Sequence, residues 1–416
     1  MKSRTKTIVA VVVVFLFAWG IRSVFNILFP AKGALDTPWY TEGAQILLQP
    51  GGFMRLVDMG YGYYLGRMTH IGFIAVCQLL FGLPATVPMV QIQAFLSAVT
   101  VLILYFSARR FASKESALGA MILAAAHMPF AFWAGYILSE TVFLLFVAIW
   151  AFFAIRLAQE WKWTNLAGFL GFALVCVFTR PNALGYAVLA AVWVLWVWVR
   201  NSIQRGSRAH TWLKLTVVAL SLCYFWTVWF TFENINRPEE ERWSGFSYIM
   251  KDYNSRNENF KEWSKPEWGW LVYTEYRNYV VHDMDDNAEK LRVQLRKAWM
   301  YWKPWREWFS LKHNVYNTFY MVLAGGLGVL GLVFLSRKRP AFRDFVLLVF
   351  LYHTSIAVVD SPGADGRYRL PCEYLLLLVS AGGLEWLRYF WNSKAKEGTT
   401  RRDKGSLQDE AGMRSG

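Results

Sequence analysis

The sequence predicts an all-α polytopic membrane protein, and three observations carry that prediction. The chain of 416 residues is 55% hydrophobic and 18% aromatic but only 18% charged, less charge than a soluble domain of this length carries. Its apolar residues come in blocks, several of which reach the ~20 residues that a helix needs to cross a bilayer. They do not alternate along short segments, as the strands of a membrane barrel do.

About ten transmembrane helices are expected, at roughly 7–29, 90–107, 116–135, 140–157, 164–180, 182–199, 212–232, 314–335, 344–360 and 371–390. The first follows Lys2, Arg4 and Lys6 and is too long for the core of a cleaved signal peptide, so it is read as a retained helix. The run 68–82 is apolar but short, and it contains His70 and Gln78. That length suits an interfacial or re-entrant helix better than a span. With 68–82 outside the bilayer core, the short basic stretches share one side: Arg109, Arg110 and Lys114; Arg156 and Lys162; Arg200 to Lys214; Arg337 to Arg343; and Arg388 to Arg414. This satisfies the positive-inside rule. The formal charge of +15 therefore reads as topology and contact with anionic membrane lipids, not as nucleic-acid binding. The short breaks at 136–139 and 180–182 decide which side everything downstream faces.

Residues 1–392 form a single transmembrane domain in this reading, with external loops 30–89, 233–313 and 360–371, and 393–416 form a polar, disordered cytoplasmic tail. The long loop at 233–313 is dense in Trp and Tyr, rings that favour the headgroup level. Within it, Asp286 to Trp302 has helical spacing of apolar residues and stops at Pro304, which predicts a membrane-surface helix. The four cysteines, Cys77, Cys176, Cys223 and Cys372, are scattered through apolar segments without metal-ligand spacing, and they read as small core residues.

Polar groups in or beside membrane helices are the candidates for chemistry. Asp36 lies just beyond the first helix, with Tyr40, Glu42 and Ala44 following. A carboxylate held there can take a proton from a hydroxyl, and its place before Thr37-Pro38 also suits a helix N-cap. Glu140, in Ser139-Glu140-Thr141, stands at the outer start of a helix. It either favours that helix end electrostatically or lines an outer cavity. Arg180, in Thr179-Arg180-Pro181-Asn182, interrupts an apolar stretch and needs a partner, the interface or an anion. Arg367, Tyr368 and Arg369 precede the last helix, where two guanidinium groups make a phosphate clamp or a surface network with Asp360 and Asp365. Arg67, His70 and Arg22 add to the same positive field. The chain has no HExxH, Walker loop, GxSxG or dinucleotide fingerprint, so soluble-nucleotide chemistry has no support.

These pieces, in this order, resemble the polytopic glycosyltransferases of the GT-C fold, in particular the bacterial relatives of dolichyl-phosphate-mannose–protein mannosyltransferases and of the lipid A aminoarabinose transferase. The matching residues are Arg22, then Asp36 with Tyr40 and Ala44, the run closing in Leu80-Phe81-Gly82, and Arg109-Arg110-Phe111. Ser139-Glu140-Thr141, Thr179-Arg180-Pro181 and Arg367-Tyr368-Arg369-Leu370-Pro371 complete the set, which covers 7–200 and 345–390. The resemblance implies an inverting transfer of a sugar from a polyprenyl-phosphate donor to a glycan, lipid or protein acceptor. It places the chemistry on the periplasmic or lumenal face, with Asp36 as the catalytic acid of the first external loop. It implies donor contacts from Arg180, Arg367 and Arg369, with Arg67 and His70 as second choices. Many relatives have an acidic pair where this chain has Asp36-Thr37, so participation of a divalent cation (Mg or Mn) stays open. Two other classes are weighed beside it. A lipid-linked glycan polymerase or ligase also has a large outer loop but needs no acid in the first one. A transporter or flippase predicts repeated halves and helices broken at the midplane, and the sequence shows neither pattern.

Overall fold

The computed structural model describes residues 2–29, 37–59, 64–180, 183–204, 301–304, 310–359 and 366–413, with single positions between 295 and 299. Among the described residues the regular elements are all helical. They are α1 (Lys2–Leu28), α2 (Thr37–Leu47), α3 (Gly52–Asp58), α4 (Met68–Phe81), α5 (Thr86–Ala108), α6 (Lys114–Ala126), α7 (Met128–Ala134), α8 (Glu140–Gln159), α9 (Trp163–Val177), α10 (Gly185–Gln204), α11 (Leu311–Lys338), α12 (Pro340–Val359) and α13 (Leu370–Met413). Short 3-10 turns at Leu65–Arg67 and Gly366–Arg369 precede α4 and α13.

Among the described residues, five helices are long and apolar enough to cross a membrane: Thr5–Leu28, Thr86–Ala108, Glu140–Gln159, Leu311–Lys338 and Leu370–Ser393. The pair α6 and α7 makes a sixth if it is one bent span. The protein is thus a polytopic helical membrane protein. Trp163–Val177 and Gly185–Arg200 are apolar but shorter, and the expected helix at 212–232 lies outside the described residues.

Helix α1 illustrates how lipid-facing sequence folds. Ile8, Val12, Leu16 and Phe17 are exposed, while Val11, Ala18, Arg22 and Asn26 form one buried stripe at helical spacing, against α5 and α6. The centre belongs to α13, in which residues 370–383 are all buried. Its closest neighbour is α11, and glycines permit the approach. A Cβ on Gly331 would stand 1.9 Å from the Val379 carbonyl oxygen, and one on Gly383 would stand 2.1 Å from that of Leu327. This is the small-residue packing through which membrane helices associate. Gly331→Val is expected to lower the unfolding stability of the detergent-solubilised protein by about 3 kcal/mol, the upper end for overpacking, because the clash is with backbone. An unchanged fluorescence melting temperature would show that the two helices part freely. A second packing centre ties α8, α9, α10 and α12 together through rings: Trp150 lies 5.3 Å from Phe169, 4.8 Å from Tyr186 and 4.7 Å from Phe345 between centroids.

The short basic connections meet at one end of the bundle. Gln159 donates to the Arg110 carbonyl, Arg110 and Arg156 both lie over Phe152, and Arg388 pairs with Glu115. Ser113 caps α6, accepting from the Ser116 N–H, and Glu385 receives the Ser113 N–H and the Ser116 hydroxyl. Phe111 meets Phe342, and Arg200 pairs with Asp344. Helix α4 has only 14 residues. It lies against α2 and α5.

One expectation is corrected. The block 116–135 is not one helix but α6 and α7, bent by 50° at His127. His127 is extended, with ψ 101°, and Pro129 follows in the first turn of α7, where its missing N–H is harmless but the preceding helix cannot run on. Helix α13 is described to Met413, beyond the apolar segment that ends at Ser393. A helix already nucleated by a packed segment adds each further residue without a new nucleation step.

Candidate functional site

The opposite end of the bundle gathers the candidate polar residues. Helix α2 lies on α4 with Tyr40, Gly43 and Ala44 buried; a Cβ on Gly43 would come within 2.9 Å of Ile71, so the missing side chain sets that approach. The segment between α7 and α8 is held by three contacts from two helices, α2 and α5. Thr37 donates to the Ile137 carbonyl at 3.0 Å, Gln93 to the Tyr136 carbonyl at 2.8 Å, and the Tyr40 and Ser139 hydroxyls are 3.3 Å apart. Ser139 is the N-cap of α8 but makes no side-chain cap bond; its hydroxyl is turned to Tyr40 instead.

Glu140 follows in the first turn of α8, only 2% exposed. Its carboxylate meets Arg180 at 3.3 Å, and Arg180 is 6% exposed. The guanidinium lies over the Tyr368 ring at 4.8 Å and over Phe143 at 5.5 Å, a cation–π arrangement that suits a planar, weakly hydrated cation. The Thr69 N–H donates to the Phe178 carbonyl at 2.9 Å, which fixes the start of α4 beside the end of α9. His70 is fully buried, edge-on to Tyr40 and stacked on Phe73. Burial, and then the charge of Arg180, push its imidazole down to about 3. His70 is therefore neutral and does not join the positive field that the sequence suggested.

A second polar group sits beside the first. Arg369 pairs with Glu373 one turn on and donates to the Tyr301 carbonyl at 3.0 Å. The Tyr301 hydroxyl donates to the Tyr368 carbonyl at 2.9 Å, and burial raises that phenol well above its usual range. Glu373 also meets His127 at 2.8 Å. The expected clamp of Arg367, Tyr368 and Arg369 is thus divided. Tyr368 covers Arg180, Arg369 is turned inward at 8% exposure to hold Glu373 and Tyr301, and the Arg367 side chain lies outside the described residues. Asp36 lies outside them too, although Thr37, its neighbour, opens α2.

The remaining candidates lie apart from the Arg180 cluster. Arg67 closes the turn before α4 and is half-buried. Glu42 is exposed and accepts from the Tyr64 hydroxyl; burial first, then Glu42, pushes the Tyr64 phenol up. Arg22 is a structural cross-link. It donates to Ser97 at 2.7 Å and to the carbonyls of Ala18, Ala125 and Ala124. Beside it, the Tyr320 and Tyr316 hydroxyls donate to the carbonyls of Leu123 and Ala126. All four carbonyls freed at the end of α6 therefore have a side-chain donor. Below Glu140, a small hollow opens among Ser97, Thr100, Phe130, Trp133, Thr141 and Leu370.

His127, Tyr301 and Glu373 were not picked out by sequence reasoning. A carboxylate inside an apolar helix, one turn after Arg369, is the signal that marks Glu373. Among the described residues, no three His, Cys, Asp or Glu side chains gather as a metal site. No family model matches the chain, and no curated protein sequence matches it.

Proposed function

We propose that this protein is an inverting glycosyltransferase of the GT-C type, which moves a sugar from a polyprenyl-phosphate donor to a glycan, lipid or protein acceptor. In this reading it has about ten spans in a bacterial inner membrane, with the active site facing the periplasm. One observation supports it above the others. Tyr40, His70, Glu140, Arg180 and Tyr368, drawn from five separate stretches of sequence, converge at the end of the bundle away from the basic connections.

Asp36 removes the proton from an acceptor hydroxyl, and the oxygen forms a bond to the anomeric carbon. The bond from that carbon to the phosphate oxygen breaks, and polyprenyl phosphate departs with the electron pair from the opposite face. A phosphate is a good leaving group, so no general acid is needed. Cations fixed nearby stabilise the charge that develops on it, with Arg67 and Arg367 as the sources, since Arg180 already faces the Glu140 carboxylate. Mass analysis of envelope glycans and glycolipids from cells with and without the protein tests the reading. One sugar is expected to be missing from one product; identical profiles would sink it.

A further inference from the structure

We propose that His70, together with Arg180, Glu140 and the Tyr40–Ser139 hydroxyl pair, forms a subsite for the hydroxylated ring of a sugar rather than for a phosphate. This deepens the glycosyltransfer reading and rests on it. His70 is 0% exposed, yet among the described residues neither ring nitrogen has a hydrogen-bond partner. A stranded buried polar group costs about 1–3 kcal/mol, and native folds rarely keep one without a reason. The site is also built to hold its parts still, because the Thr69–Phe178 backbone bond fixes His70 relative to Arg180.

The chemistry of those atoms selects the ligand. A neutral imidazole offers one donor and one acceptor. Ionised phosphate oxygens only accept and leave the bare nitrogen unmatched, whereas two neighbouring hydroxyls satisfy both nitrogens. The charge balance points the same way. Arg180 already faces the Glu140 carboxylate at 3.3 Å, so a phosphate on the His70 side would bring a second negative charge close to Glu140, and a sugar ring brings none. The Tyr40–Ser139 contact of 3.3 Å is long for two hydroxyls, and a ligand hydroxyl can replace it at little cost. Phe73, stacked on His70, provides an apolar wall for the C–H face of a ring.

The test uses full-length protein in detergent with 15N-labelled histidine, titrated separately with a panel of free hexoses and pentoses and with inorganic phosphate. The His70 signals are assigned by their loss in His70→Gln. At least one sugar is expected to shift both ring nitrogens, and phosphate to shift neither. His70→Phe should weaken binding of that sugar at least tenfold. His70→Gln, which keeps one donor and one acceptor, should restore most of it. A response to phosphate alone, to no ligand, or sugar binding that survives His70→Phe overturns the subsite. Transfer assays separate this from the broader reading. Sugar binding at His70 without any transfer from a polyprenyl-phosphate sugar refutes the glycosyltransferase and leaves the subsite. Transfer with an unchanged donor KM in His70→Phe does the reverse.

Discussion

Asp36→Asn is expected to reduce transfer from a polyprenyl-phosphate sugar by about 10²–10⁴-fold, the range a positioned general base contributes, while the protein inserts and melts as before. The choice of asparagine is what makes the result decisive. Residue 36 directly precedes the first residue of α2, where Asn and Asp are almost equally good N-caps. Asparagine there serves as an N-cap as well as aspartate does and cannot act as a base. If capping were the whole role of Asp36, Asp36→Asn would work normally and Asp36→Ala would lose about 1 kcal/mol of stability. Turnover of Asp36→Asn within a few-fold of the parent, measured in isolated membranes, would end the catalytic assignment.

Arg180→Ala is expected to lower unfolding stability by about 3–5 kcal/mol, because it strands a buried carboxylate. Its partner Glu140 has a side chain only 1% exposed, so the carboxylate loses its counter-charge without reaching bulk water. The same change also uncovers the Tyr368 and Phe143 rings that the guanidinium lies over. Glu140→Gln combined with Arg180→Ala should recover a large part of the loss, since no uncompensated charge then remains. Chemical unfolding of the two single variants and the double variant measures this coupling. Additive losses, or a cost below about 1 kcal/mol for Arg180→Ala, would show that the pair is not closed off from solvent.

The membrane helices were readable because hydrocarbon imposes one crude demand, a long apolar run with its backbone bonded internally. The neighbours of a polar residue within such a run were not readable. Arg22 announces in the sequence only that it needs partners. Those partners are carbonyls of Ala124 and Ala125, about a hundred residues along the chain, and carbonyls carry no sequence signature at all. Arg369 misled for a related reason. Two arginines around a tyrosine look like an anion clamp, but Arg369 turns to Glu373 one helical turn on, a partner its spacing allows, and to the Tyr301 carbonyl, which only the tertiary structure supplies. Glu140 and Arg180 were each legible as candidates, but not as each other's partners. The break at His127 was legible in principle. Pro129 stood in plain view inside the block, but uniform hydropathy outweighed it.

The bend between α6 and α7 behaves as a bracket and not as a hinge. Straightening it would re-form the helical bonds of Leu123 to Ala126 and leave Arg22, Tyr316 and Tyr320 with unanswered N–H and O–H groups in an oily surrounding. Three side chains on two other helices would have to find new bonds at once. This corner therefore gives α8 and Glu140 a stationary footing, and movement at this end of the bundle falls to elements lying outside it.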